Sequence, residues 1–214
     1  MIPYHYIAIE GNIGAGKTTL SQMLACELDY RLILEQFTDN PFLPLFYENP
    51  ERYAFQVELF FMTERYKQLQ ELYTHPDLFQ QNIIADYFFL KTLLFANSNL
   101  QEEEKRLFQQ LFQTLNARFP NPDLLIYLHR PVPALQYFIE KRGRNMENDI
   151  DATYLEKVQQ AYFNFFKTQP AFPIIVLDLE AEDFVEDSSL YYKIVHLFKS
   201  NFSKKVHYLK IADF

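Results

Sequence analysis

Apolar residues fall into two alternating patterns along the chain. Short continuous runs at Tyr4 to Ile9, Arg31 to Leu34, Asn82 to Ala85, Leu124 to Leu128 and Ile174 to Leu179 have the length of strands buried on both faces. Between them, Lys17 to Leu28, Glu51 to Tyr73, Lys91 to Ala96, Glu103 to Phe119, Pro133 to Lys141 and Ala152 to Lys167 space their apolar side chains three or four positions apart, which predicts helices. This alternation is the signature of βαβ units and predicts an α/β fold, with five strands in a parallel sheet flanked by helices. Punctuation agrees: Pro41, Pro50 and Pro133 stand near helix starts, and Pro120, Pro122, Pro170 and Pro173 interrupt the chain before the last two strands. With no repeat, low-complexity block or flexible linker, residues 1–214 read as a single domain, least defined by pattern after Ser203.

Composition and charge narrow the chemistry. With 22 Phe and 15 Tyr, and no Trp, the 214 residues can bury a sizeable core. The net charge of −8 argues against attraction to a nucleic-acid polymer or an anionic membrane, so any bound anion needs a local positive site. Met1 to Glu10 carries polar residues throughout, unlike a signal peptide or a membrane span. Together with Cys26, a lone cysteine unable to form an internal disulfide, this leads to the expectation of a cytoplasmic protein. Cys26 is expected on the core face of the first helix as a small apolar residue. The five His show no metal-ligand spacing.

Glycine is more informative. Of the 4 glycines, Gly11, Gly14 and Gly16 lie within six positions of one another. Gly11-Asn12-Ile13-Gly14-Ala15-Gly16-Lys17-Thr18 matches G-x-x-x-x-G-K-[ST] without a gap, between the strand ending at Glu10 and a helix that continues through Thr19. In such a loop successive backbone N–H groups turn inward, the helix adds the positive end of its dipole, and Lys17 brings a full charge to the β and γ phosphates. The Thr18 hydroxyl suits Mg²⁺. The chain has no guanine-reading N-K-x-D and no hydrophobic strand ending in D-x-x-G, so a small kinase is the simpler reading than a switch GTPase.

Further landmarks follow in order: Glu35 with Asn40-Pro41-Phe42, Phe55-Gln56-Val57-Glu58 running to Arg65-Tyr66-Lys67-Gln68, Ala85-Asp86-Tyr87, Lys141-Arg142-Gly143-Arg144 with Tyr154-Leu155-Glu156, and Asp183-Phe184. With the phosphate loop, they make the chain from about Tyr6 to Phe184 resemble the deoxynucleoside kinases, most closely the bacterial deoxyguanosine and deoxyadenosine kinase branch. The resemblance implies a P-loop kinase fold with a short Arg-rich lid at about 141–151, and a homodimer. It also implies Mg²⁺-dependent transfer of the ATP γ-phosphoryl group to the 5′-hydroxyl of a deoxynucleoside, in nucleotide salvage.

By that resemblance Glu35, at the end of the second strand, is the base for the 5′-hydroxyl, and strand ends are where open parallel sheets bind ligands. Asp86, ending the third strand, would hold Mg²⁺ directly or through water. Much of the family follows this acid with Arg; this chain has Tyr87, and Arg65 or Lys91 are alternative cations for that side. In the lid, Arg142 and Arg144 would neutralise the leaving and transferred groups, Gly143 would end the helix as a hinge, and Arg142 would also reach adenine. Asp183 and Phe184 would border the adenine, while Tyr47 and Glu147 match positions that hold the 3′-hydroxyl.

Glu58 occupies a position where the family usually places a Gln in contact with the acceptor base. A Gln amide offers one donor and one acceptor, complementary to adenine N6 and N1; a carboxylate offers acceptors only, which suits guanine N1–H and N2–H. Glu58 therefore favours deoxyguanosine over deoxyadenosine, unless it faces solvent or pairs with Arg65, seven positions along the same helix. Two other readings stand beside this one. One is a thymidylate-type nucleoside monophosphate kinase, which would need a cation where Glu35 stands. The other is a non-catalytic nucleotide-binding regulatory protein, for which Tyr87 is the one supporting feature.

Overall fold

The computed structural model describes residues 2–35, 40–74, 82–116, 119–144, 147, 150–168 and 171–213. Pro170 and much of the lid between Arg144 and Ile150 lie outside them. The strands are β1 (Tyr6–Gly11), β2 (Arg31–Ile33), β3 (Ile83–Ala85), β4 (Leu124–His129), β5 (Ile174–Asp178) and β6 (Val206–Lys210). The helices are α1 (Lys17–Leu28), α2 (Leu43–Glu48), α3 (Pro50–Thr74), α4 (Lys91–Asn99), α5 (Glu102–Asn116), α6 (Val132–Arg142), α7 (Ala152–Phe166) and α8 (Ser188–Leu197).

All six strands run parallel, in the order β2-β3-β1-β4-β5-β6. The expected strands are five of these, and β6 is a sixth that the apolar pattern does not mark. It lies at the sheet edge with alternating half-buried and exposed positions and charged Lys205 and Lys210 around it, so it never forms a continuous apolar run. Helices α2 and α8 likewise go beyond the elements that the pattern predicts. The α8 sequence does carry a legible start, since the Asp187 carboxylate accepts from Ser189 N and Leu190 N ahead of buried Leu190, Tyr191, Ile194 and Val195.

The sheet is covered on both faces, which is why its central strands read as unbroken apolar runs. On one face Ile7, Ile9, Ile84, Ile126, Leu128 and Leu177 pack with α1, α6 and α8. On the other, Ala8, Leu125, Tyr127, Ile174 and Val176 pack against Val158, Tyr162 and Phe166 of α7. A separate cluster joins α2, α3, α4 and α5 around Phe46, Val57, Met62, Phe89, Phe108 and Phe112. Cys26 is a correction: it is exposed, because the core stripe of α1 is Leu20, Ser21, Leu24 and Ala25, and the next residue turns about 100° away.

Strand order decides where a ligand can sit. The chain leaves β1 for β2 and β3 on one side, then crosses over to β4 on the other. This reversal opens a crevice beyond the carboxyl end of β1, between the segments that follow β3 and β4. The phosphate loop, Asp86 and Arg130 all stand at that crevice.

Candidate functional site

The site begins at the β1 to α1 turn. Gly14 has φ of 82°, and a Cβ there would meet Leu135 O at 2.7 Å, so only glycine fits both the conformation and the space beside α6. Asn12 is buried and fixes the loop, donating through Nδ2 to Leu155 O at 2.7 Å and accepting from Ile13 N at 2.8 Å. Lys17 Nζ donates to Asn12 O at 2.9 Å. Burial and then Lys91 push the Lys17 ammonium down to about 8, against the pull of Glu10, Glu35 and Asp86.

The two residues expected at the metal meet directly. Thr18 Oγ1 donates to Asp86 Oδ2 at 2.6 Å, and the other Asp86 oxygen accepts from Glu35 N at 2.6 Å. A hydroxyl and one carboxylate beside a phosphate loop are hard oxygen donors of the kind that hold Mg²⁺ together with substrate phosphates. Two such donors leave most of a cation's coordination to a nucleotide and water, and among the described residues no cluster of three or more His, Cys, Asp or Glu is found.

Glu35 joins three elements. Its Oε1 accepts from Arg65 Nε of α3 at 2.8 Å and from the second Arg65 nitrogen, and its Oε2 accepts from Lys91 Nζ of α4 at 2.7 Å. Burial alone would raise this carboxyl, but the two cations outweigh it and hold Glu35 well below the usual carboxylate range. Both cations that the sequence offers in place of an Arg after Asp86 are therefore used here. Arg65 NH1 also donates to Thr92 Oγ1 at 2.7 Å. Tyr87 is buried in the α3 to α5 cluster, its hydroxyl donating to Gln68 Oε1 at 2.9 Å, and it plays a packing part.

Glu58 lies in the same cleft as Glu35 and is buried. It neither faces solvent nor pairs with Arg65. Its Oε1 accepts from Asn99 Nδ2 at 2.8 Å, and Asn99 also donates to Tyr154 Oη at 3.3 Å. Burial pushes the Glu58 carboxyl up to about 7, only partly offset by Asn99, Arg65 and Lys91. Tyr47, pushed up to about 12 by burial, lines the cleft with Phe46, Val57 and Phe61. Glu147 closes it, paired with Arg142 and, at 3.3 Å, with Arg144 NH1.

A second cleft runs along the other side of the phosphate loop, lined by Gly14 to Thr19, Arg130, Phe138, Lys141, Asp183 and Phe184. Arg130 donates to Ala15 O at 3.3 Å and to Glu180 O at 3.2 Å, and its guanidinium lies 4.2 Å from the Phe138 ring centroid. Phe184 rests against Gly16, where a Cβ would come 3.0 Å from its ring. Asp183 accepts from Lys141 Nζ at 2.9 Å, tying the end of α6 to the β5 loop. Helix α6 stops at Gly143, whose φ of 69° is left-handed, the helix end expected at that glycine. The two clefts share Lys17, Thr18, Arg142 and Arg144, so a donor and an acceptor bound one in each would meet among these four residues.

Arg130 and Asn99 are not among the residues that the sequence pointed to, and Tyr154 entered there as a landmark without a role. Arg130 had a signal, since it follows β4 at the ligand-binding end of the sheet. Asn99, three positions beyond the helix that the apolar pattern predicts, had none.

Residues 7–203 match the deoxynucleoside kinase family. The deoxyguanosine kinase of Bacillus subtilis is 37% identical over 193 residues, covering 88% of this chain and 93% of that enzyme. The deoxyadenosine/deoxycytidine kinase of the same organism is 30% identical over 193 residues, covering 88% and 89%. Among solved structures, deoxyadenosine kinase from M. mycoides with bound dATP superposes with a TM-score of 0.76 at 26% identity, covering 91% of this chain and 98% of that one.

Proposed function

Because this chain belongs to the deoxynucleoside kinase family and is a kinase by that membership, we propose that it phosphorylates a purine deoxynucleoside at the 5′-hydroxyl, deoxyguanosine before deoxyadenosine, with ATP as donor. The observation that carries this reading is the placement of two glutamates, Glu35 partly buried and Glu58 buried, in one cleft that opens onto the phosphate loop. Glu35 stands beside Lys17, Thr18 and Asp86, and Glu58 stands among the apolar walls suited to a base.

In this reading the second cleft takes ATP, with Phe184 and Arg130 against the adenine. Lys17 and the backbone amides of the phosphate loop hold the β and γ phosphates. Thr18 and Asp86 would hold Mg²⁺, which when bound would supply charge neutralisation on those phosphates. Phosphoryl transfer depends mostly on positioning and charge stabilisation, so the shared cations Lys17, Arg142 and Arg144 are the principal contributors. Glu35, kept ionised, accepts a hydrogen bond from the 5′-hydroxyl and aims it at the γ-phosphorus. As a weak base it takes the proton late, when the forming bond has made the hydroxyl acidic. Tyr47 and Glu147 hold the 3′-hydroxyl of the sugar. Ionised Glu58 accepts from guanine N1–H and N2–H.

The salvage role, the homodimer and a cytoplasmic setting belong to the same proposal. No helix of the described residues is long and apolar enough to cross a membrane. ADP release measured with MgATP across the four deoxynucleosides and their monophosphates tests the assignment. Deoxyguanosine should give the highest kcat/KM and deoxyadenosine the next, with the monophosphates inert. Faster turnover of a pyrimidine deoxynucleoside, or of any monophosphate, overturns it.

A further inference from the structure

Asn99 is assigned no part in the reaction, yet it makes the hydrogen bond to Glu58. Its Nδ2 donates to Oε1 at 2.8 Å, and among the described residues no hydrogen bond reaches Oε2. Oε1 is thereby marked as an acceptor. If the carboxyl holds a proton, Asn99 directs that proton to Oε2, because Oε1 already receives an N–H. The protonated group then presents one donor and one acceptor in a fixed order, and the ionised group presents acceptors alone.

These two states suit different bases. Adenine offers a bare N1 beside the N6 amine, so it needs a donor at N1. Guanine offers N1–H beside N2–H, and needs acceptors at both. We propose that Asn99 and Glu58 form a proton-dependent base selector, in which deoxyadenosine is accepted through the protonated carboxyl and deoxyguanosine through the ionised one. This rests on the reading that Glu58 faces the acceptor base.

The surroundings put both states within reach. From α3, Arg65 faces the carboxyl; from α4, Lys91 and Asn99; from the segment after β2, Glu35; from α7, Tyr154. Tyr47 of α2 and the lid residues Arg142, Arg144 and Glu147 line the same cleft. The two nearest cations are bound directly to Glu35, so they stabilise a Glu58 charge only from a distance. Burial is then the largest influence, and it pushes Glu58 up to about 7 rather than leaving it in the usual carboxylate range. A neutral carboxyl at the base end is therefore populated in mildly acidic solution.

The test is kcat/KM for deoxyguanosine and deoxyadenosine from about pH 5.5 to about pH 8.5, in wild type, Glu58→Gln and Asn99→Leu. Neither free purine titrates in that window. In wild type the deoxyadenosine value should fall as pH rises, approaching about tenfold per pH unit above the midpoint, so the guanine-to-adenine ratio climbs. Glu58→Gln should lower the ratio by roughly ten- to hundredfold at about pH 8 and make it independent of pH. Asn99→Leu removes a donor that favours the ionised form, so the midpoint should move to higher pH, a change that loss of packing alone would not produce. A flat wild-type ratio with a shifted Glu58→Gln ratio overturns the proton selector and leaves Glu58 as base reader. A flat wild-type ratio with an unshifted Glu58→Gln ratio overturns both.

Discussion

One cleft holds a partly buried glutamate, Glu35, at its phosphate-loop end and a buried one, Glu58, among its apolar walls, and treats them in opposite ways. Glu35 is paired directly with Arg65 and Lys91 and stays ionised well into acid. Among the described residues Glu58 has only the Asn99 amide as a direct hydrogen-bond partner, and burial carries it to about 7. Removal from water penalises a carboxylate at both places, so burial does not decide the outcome. What decides it is whether a full positive charge lies within hydrogen-bond reach. In the proposed function, the end beside the phosphate loop is built of fixed charge suited to stabilising a transferring group, and the other end of near-neutral groups suited to discriminating by donor and acceptor pattern.

Three substitutions sharpen that contrast. The largest effect is expected at Lys17, where a cation on the transferring phosphoryl group is worth on the order of 10³–10⁵-fold. Lys17→Ala should lose about that much in kcat/KM with MgATP while the deoxyguanosine-to-deoxyadenosine ratio stays unchanged. A folded Lys17→Ala protein with wild-type kcat/KM would remove the phosphate-loop assignment.

Glu35→Gln comes next. Loss of the base should cost roughly 10²–10⁴-fold in kcat with little change in deoxynucleoside affinity by calorimetry. Because its folded pKa is depressed, Glu35 stabilises the fold above the ordinary carboxylate pKa, and this contribution is lost as pH falls. The variant should therefore melt below wild type at neutral pH, with Arg65 and Lys91 left without their carboxylate. Affinity lost in place of kcat would make Glu35 a binding residue.

The smallest effect, of opposite sign, belongs to Glu58. Its folded pKa of about 7 lies above that of the unfolded chain, so its contribution is fully present below the unfolded value and lost as pH rises through about 7. Glu58→Gln removes that penalty and should raise stability at about pH 8 by roughly 1–3 kcal/mol, with little gain at about pH 5. Denaturant melts at the two pH values measure it. Equal destabilisation at both would show that Glu58, like Glu35, depends on a cation for its place.

Much of this protein was legible in the sequence because the information was contiguous. A phosphate loop is built by its own backbone, so Gly11 to Thr18 announces it without help from the rest of the chain. The central strands and most helices were equally plain, since burial on two faces or one leaves a periodic trace. The edge strand β6, half exposed, left a weaker one. Tertiary structure decided what depends on meetings between distant segments. Arg65 and Lys91 reach Glu35 from 30 and 56 positions away, and Asn99 reaches Glu58 from 41. Sequence names a glutamate at each end of the cleft, but a protonation state is set by the charges and water within a few ångströms, and only the fold determines those.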